Sequence, residues 1–175
     1  SEADLVITDH YAIGREWQSA IRTTLHCKIM AFDDLVREHD ADLIVDQTLG
    51  RKMCCYTGGA KVLTGSTYAV IKPRFKALRS DAQAKSRYNT PLRVLVTMGG
   101  VDNDNVTMAV LRSLVSYSNL VVTVLLAPRS PHYLEVKNFC DEASYVKHLD
   151  FVNDMASLML ESDVAIGAPG TTSWE

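Results

Sequence analysis

Short runs made almost wholly of apolar residues recur along this chain, and amphipathic runs of helical length separate them. Asp4 to Thr8 (DLVIT), Lys28 to Phe32 (KIMAF), Asp42 to Asp46 (DLIVD), Leu92 to Met98 (LRVLVTM), Leu120 to Leu126 (LVVTVLL), Tyr145 to His148 and Asp163 to Ile166 (DVAI) all have strand length. A strand without polar alternation is buried on both faces, as in a parallel sheet covered by helices on each side. Helices are expected from about Gly14 to Thr24, Asn105 to Tyr117, Tyr133 to Ala143 and Met155 to Glu161. In the second, Val106, Ala109, Val110 and Leu114 recur at helical spacing. The order strand, helix, strand predicts an α/β fold of parallel sheets flanked by helices.

The regular pattern lapses from Gly50 to Thr90. Gly58-Gly59, Gly65 and Pro73 punctuate that stretch, which leaves room for short elements and one basic helix over Phe75 to Lys85. With 175 residues, the chain has length for one large domain or two half-size ones. The reading is two lobes: residues 1–60, a passage over 61–90, and residues 91–175. The chain opens almost directly into a strand and stops where a helix beginning at Thr171 has made one turn. One turn has almost no stability of its own. An internal piece of a longer protein is therefore expected, with the first lobe only partly present and the second truncated at its final helices.

Composition narrows the function classes. Hydrophobic residues make up 47% of the chain, which is enough for a packed core and excludes intrinsic disorder. No apolar run reaches the roughly 18 residues of a membrane span. The opening SEADLVITDHY lacks the basic and apolar regions of a signal peptide. Cys27, Cys54, Cys55 and Cys140 do not form a disulfide framework, because two are adjacent and a chain this long buries its own core. A reducing cytoplasm is expected. The net charge of −3 hides an asymmetry: Lys61 to Asn89 carries Lys61, Lys72, Arg74, Lys76, Arg79, Lys85 and Arg87 against the single acid Asp81. That stretch is either a solvated basic face or a surface for an anion, and no nucleic-acid motif accompanies it.

Three places could carry chemistry. Met98-Gly99-Gly100-Val101-Asp102-Asn103 puts two glycines between a buried strand and a helix, where backbone N–H groups and the helix end favour a phosphate. The alternative is a tight turn without a ligand. Gly167 to Glu175 (GAPGTTSWE) repeats the arrangement, with hydroxyls at Thr171, Thr172 and Ser173 and a carboxylate at Glu175 suited to a ribose diol. A capped helix is the alternative there. Ligands in open parallel sheets sit beyond the carboxyl ends of strands, where both turns fall, so together they favour an anionic nucleotide. The third place is Asp9-His10-Tyr11, also at a strand end. Asp9 or His10 there suits acid–base work and Tyr11 can donate to an oxyanion, unless Asp9 simply caps the next helix. Asp33-Asp34 reads as a strand ending in water, and His26-Cys27 as a helix–strand junction. No CxxC pair, HExxH, GxSxG or Walker lysine loop occurs, so no metal site and no serine nucleophile are expected.

The stretch YVKHLDFVNDMASLMLESDVAIGAPGTTSWE resembles the nucleotide-binding half of MurG-like glycosyltransferases. These are GT-B folds of two Rossmann-like lobes. DLVITDHYAIGREW, IMAFDDL, ADLIVDQT, VLTGSTYAVIKPRF and VTMGGVDNDN resemble the PseG family more closely. That family hydrolyses UDP-2,4-diacetamido-2,4,6-trideoxy-β-L-altropyranose in pseudaminic acid biosynthesis. The resemblance implies that Gly99, Gly100, Gly170, Thr171 and Thr172 hold the diphosphate of UDP and that Glu175 holds the ribose. It further implies that Phe151 and Val152 hold the uracil edge and that Tyr11 lines the reacting sugar. It implies inverting attack by water at the anomeric carbon, with no cofactor and no metal. One departure is serious: the family's catalytic histidine lies in a GxGHxxR loop, which this sequence lacks. His10 does not replace it, so these residues by themselves are expected to be inactive. The competing readings are a MurG-type UDP-sugar glycosyltransferase and a non-catalytic nucleotide-sugar-binding module.

Overall fold

The computed structural model describes residues 3–85 and 90–175, and Arg87 of the basic stretch lies outside the described residues. The chain divides into two compact units, residues 1–70 and 71–175.

The first unit is a parallel sheet in the order β1-β2-β3-β4, formed by Leu5–Thr8, Lys28–Phe32, Leu43–Asp46 and Lys61–Thr64. Helix α1, Arg15–Leu25, connects β1 to β2 and lays Ile21 and Leu25 on a core of Cys27, Ile29, Ala31, Ala41 and Ile44. Its C-cap, His26, is left-handed and closes the helix on the Arg22 carbonyl, so His26-Cys27 is the junction expected. Two features differ from the sequence reading. Lys61–Thr64 is the fourth strand rather than the head of a connecting passage, because Asp46 and Thr64 align in register and extend the sheet. On β1, Leu5 and Ile7 are 50% and 57% exposed, so described residues cover only one face of that edge strand.

Asp42, just before β3, ties that strand to β2. It accepts hydrogen bonds from the Ile29 N–H and Lys28 Nζ, each at 2.9 Å, and from Arg22 Nη1 at 2.9 Å. The Ile29 amide and the Lys28 ammonium, with Arg22, hold its carboxyl at about 2 against a smaller opposing cost of burial. A carboxyl held below its unfolded value of about 3.9 contributes stability that is complete above that pH and lost as pH falls toward 2. The side chain is 31% exposed, so solvent screening reduces the contribution to about 1 kcal/mol. Asp42→Asn is expected to be less stable than the parent at pH 6 in urea titrations. The difference should close between pH 4 and pH 2; a constant difference over that range would contradict the assignment.

The second unit has the strand order β7-β6-β5-β8, all parallel: Leu92–Thr97 (β5), Leu120–Leu125 (β6), Val146–Leu149 (β7) and Val164–Gly167 (β8). Helices α3 (Val106–Leu114), α4 (Tyr133–Glu142) and α5 (Met155–Glu161) link them in sequence. Strand β5 is central. Val94, Leu95 and Val96 are all buried, and Val94 and Val96 pack with Leu111, Val122, Val124, Leu126 and Val136. On α3 the buried stripe is Thr107, Met108 and Leu111, whereas Val106 and Ala109 face outward and the helix ends at Leu114. Its phase is set by Asp102, which holds the first helical amides.

Helix α2 (Pro73–Ala84) packs on α5 and belongs to this unit. Two residues of the basic stretch are committed there. Arg74 Nε bonds Asp154 at 3.0 Å, and Lys85 Nζ bonds the Leu160 and Ser162 carbonyls at 3.0 and 2.8 Å and Asp163 at 2.9 Å. A cation on the last carbonyls of α5 offsets the negative end of that helix. Among the described residues, no helix is long and apolar enough to cross a membrane.

Candidate functional site

The second unit's candidate site starts from strand order. From β5 the chain moves outward through β6 to β7, then returns to the other side of β5 as β8. The order reverses between β5 and β8, the place where doubly wound sheets leave a crevice for ligands. Thr97 and Gly167 are partners in register at the carboxyl ends of these two strands. The structure thus brings together the Gly99-Gly100 corner and the Gly170-Thr171-Thr172 corner at adjacent strand ends. Gly99 has φ +82, a left-handed conformation that glycine adopts without steric cost. At Gly167 a Cβ would stand 2.9 Å from the Thr97 carbonyl oxygen, so glycine there permits the close approach of β8 to β5.

Both corners differ in detail from what the sequence suggests. Asp102 closes the start of α3, its two carboxylate oxygens accepting the Val106 and Thr107 N–H groups at 2.9 Å each. Burial works to raise the Asp102 carboxyl, but the bonds from Thr107 and Val106 outweigh it and keep the group ionised. The helix end is therefore occupied by the chain's own carboxylate. An anion at this corner must be met by the corner amides and by neighbouring loops. After β8 the chain makes a single 3-10 turn, Thr171–Ser173, in which the Ser173 N–H bonds the Gly170 carbonyl at 2.9 Å. The hydroxyls of Thr171 and Thr172 have no partner among the described residues.

Two further loops border this edge. After β7, Phe151 is 74% exposed, an open aromatic face, with Val152 half-buried beside it. Asp154 then caps α5 by accepting the Ser157 N–H at 3.1 Å. After β6 comes Arg129, which the sequence reading passed over. Its Nε donates to the Gly100 carbonyl at 2.9 Å. Glu175 is half-buried and makes no ion pair among the described residues.

In the first unit, a cavity of about 250 Å³ lies at the carboxyl ends of β1, β2 and β3. Asp9, His10 and Tyr11 line it together with Asp34, Arg37 and Gln47. The Tyr11 hydroxyl donates to Asp34 Oδ2 at 3.0 Å, and this bond with the Asp34 charge raises the phenol above its ordinary pKa. The phenol therefore stays protonated at neutral pH, with its single O–H committed to Asp34. His10 Nδ1 accepts the Ala12 N–H at 3.0 Å, which requires a lone pair on Nδ1. Asp9 does not cap α1, whose N-cap is Gly14 with no side-chain bond.

Asp33-Asp34 is not a strand end in water. The Asp33 side chain is fully buried and accepts from Arg37 Nε at 2.7 Å, the Arg37 N–H at 2.8 Å and Tyr56 Oη at 3.0 Å. Burial pushes its carboxyl upward, and the Arg37 and Tyr56 bonds more than offset this. Arg37 in turn donates through Nη1 to the Tyr11 and Ile13 carbonyls at 2.8 and 3.2 Å, and its guanidinium stands 5.6 Å from the Tyr11 ring centre. The loop that presents Tyr11 is thus fastened to a buried ion pair.

Two parallel four-stranded α/β units, the second with a glycine corner on each side of its switch point, give the chain a fold of the GT-B type, as in MurG. The MurG structure of Acinetobacter baumannii is similar with a TM-score of 0.57 at 15% identity, covering 97% of this chain and 48% of that one. Among curated proteins, the chain is 25% identical to the spore coat polysaccharide biosynthesis protein SpsG of Bacillus subtilis, covering 98% of this chain and 52% of that protein. It is 23% identical to the UDP-2,4-diacetamido-2,4,6-trideoxy-beta-L-altropyranose hydrolase of Campylobacter jejuni, covering 93% and 58%. It is 26% identical to an uncharacterised protein of Methanocaldococcus jannaschii, covering 98% and 38%. The chain therefore spans about half the length of the curated relatives it matches. No family model matches it.

Proposed function

We propose that this chain is the nucleotide-sugar-handling part of a glycan-biosynthesis enzyme, and that the enzyme hydrolyses a UDP-linked diacetamido-trideoxy sugar. The observation that carries the reading is the pair of glycine corners at the β5/β8 switch point. The functions named for the Campylobacter and Bacillus relatives support it. In this reading Gly99, Gly100, Gly170, Thr171 and Thr172 receive the diphosphate, Glu175 the ribose hydroxyls, and Phe151 with Val152 the uracil. For the first unit, Tyr11 is the residue proposed to line the reacting sugar; its one O–H is given to Asp34 Oδ2, which leaves its oxygen free to accept from a sugar hydroxyl. Water attacks the anomeric carbon, the bond from that carbon to the UDP oxygen breaks, and the water proton passes to a base. The leaving diphosphate is stabilised by positioned N–H donors, which lowers the barrier without a covalent intermediate. The proposed base, a GxGHxxR histidine, is not in this sequence, so the test of these residues is binding and not turnover.

Titration calorimetry should show UDP binding by the chain. Glu175→Ala should weaken it about tenfold, the cost of one or two hydrogen bonds to a charged acceptor, and should leave binding of inorganic pyrophosphate unchanged. No heat with millimolar UDP would defeat the reading. For the whole enzyme, release of UDP without any acceptor is expected; release only on adding a sugar or lipid acceptor would indicate a glycosyltransferase instead.

A further inference from the structure

We infer that Arg129 is a diphosphate ligand and makes this site select nucleoside diphosphates over monophosphates. The inference rests on the proposed nucleotide reading and adds a residue to it. Strand β6 lies between β5 and β7, so the loop after β6 stands between the Gly99-Gly100 corner and Phe151. A nucleotide with its base at Phe151 and its phosphates at the corner passes over that loop.

The loop is held firmly. The Ser130 N–H bonds the Ala127 carbonyl at 3.0 Å, and the Tyr133 N–H bonds the Ser130 carbonyl at 3.1 Å. It is tied to the corner twice, by Arg129 Nε on the Gly100 carbonyl at 2.9 Å and by His132 Nε2 on the Asn103 carbonyl at 2.9 Å. Arg129 spends one N–H on Gly100 and forms no ion pair among the described residues, although the chain has more acids than bases. Its remaining four N–H donors form a fork of the kind that matches phosphate oxygens.

Charge supplies the second argument. With Asp102 capping α3, this corner carries a full negative charge on the helix end that would otherwise attract a phosphate. A cation beside the corner must offset it, and Arg129 is the side chain that reaches Gly100. Gly100 itself fits this role. A Cβ there would collide with Arg129 Nη2 and stand 3.1 Å from Cζ, so the missing side chain is what allows the guanidinium to lie on the corner.

The test compares UDP and UMP affinities of the full chain by calorimetry for the parent, Arg129→Ala, Arg129→Lys and Gly100→Ala. Lys137→Ala, a surface cation on α4, serves as the control. Arg129→Ala should lose about 10- to 100-fold in UDP affinity, the range for a charged hydrogen-bonded contact, and much less in UMP affinity, so that the preference for UDP largely disappears. Arg129→Lys should fall between, keeping the charge without the fork. Gly100→Ala should reduce the UDP preference by displacing the guanidinium, and Lys137→Ala should change nothing. If the parent binds UDP and Arg129→Ala binds it within twofold, the inference fails and the nucleotide reading survives. Equal losses for UDP and UMP would also overturn it, since that is general damage to the site. A parent chain that binds neither nucleotide would defeat the nucleotide reading and this inference with it.

Discussion

Asp33→Ala is expected to destabilise the first unit by about 3–5 kcal/mol, the cost of removing one partner from a buried ion pair. The Asp33 side chain is fully buried against Arg37, and Tyr56 Oη sits 3.0 Å from Asp33 Oδ2 and 3.0 Å from Asp46 Oδ2. One phenolic proton serves two carboxylates, and burial together with those carboxylates pushes the Tyr56 pKa far up. Arg37 on Asp33 and Arg51 on Asp46, at 2.7 and 2.6 Å, balance the two negative charges. Removing Asp33 leaves Arg37, only 22% exposed, with carbonyl acceptors but no counter-charge. Urea unfolding of the chain should show an early transition for the first unit. Asp34→Ala is the contrast. Asp34 is exposed and orients only the Tyr11 hydroxyl and, through its carbonyl, Arg51 Nη2, so it should cost less than about 1 kcal/mol. Equal costs for the two variants would show that the buried pair is not what anchors this unit.

The same residues mark the boundary of what the sequence discloses. Strands β2, β3, β5, β6 and β8 fall within a residue or two of their apolar runs, because Asp, Gly or Pro bounds each run and no polar alternation confuses the period. The helix over Met155–Glu161 is legible from its ends. Strand β4 is harder to see, since KVLT follows two glycines and mixes Lys and Thr with only two apolar residues. The polar core of the first unit is scarcely legible. Gln18 is fully buried on α1, where its amide reaches Thr8 Oγ1 at 3.2 Å and the Asp40 N–H at 2.9 Å. Only the Asp33–Arg37 spacing of four hints at it, and the decisive partners are placed by the fold, Asp46 by the end of β3 and Tyr56 by the turn that follows Met53–Cys55. Arg129 was invisible for the same reason. It sits in PRSP, a loop with no motif, and meets Gly100 because β5 and β6 are neighbours. Motif reading finds glycines that make room; it does not find the side chain that fills it.

Gly167→Ala is expected to cost the second unit about 1–3 kcal/mol, as overpacking does when the obstructing atom cannot move aside. Here that atom is the Thr97 carbonyl oxygen, 2.9 Å from the new Cβ, in the strand at the centre of the sheet. Relief requires β8 to separate from β5 at the register pair where the two glycine corners begin. Thermal unfolding should therefore shift downward, and UDP affinity should fall about two- to tenfold as the corner geometry loosens. Gly170 gives the opposite pattern. Its backbone is extended, with φ −167, and a Cβ there meets nothing within 4 Å. Gly170→Ala should leave stability within about 0.5 kcal/mol yet weaken UDP, because the open space is where the proposed phosphate comes closest to the chain. The two substitutions thus separate a glycine required for packing from one required for a ligand. An unshifted melting curve for Gly167→Ala would mean that the strands do not depend on this close approach. Parental UDP affinity in Gly170→Ala would remove the second corner from the nucleotide site.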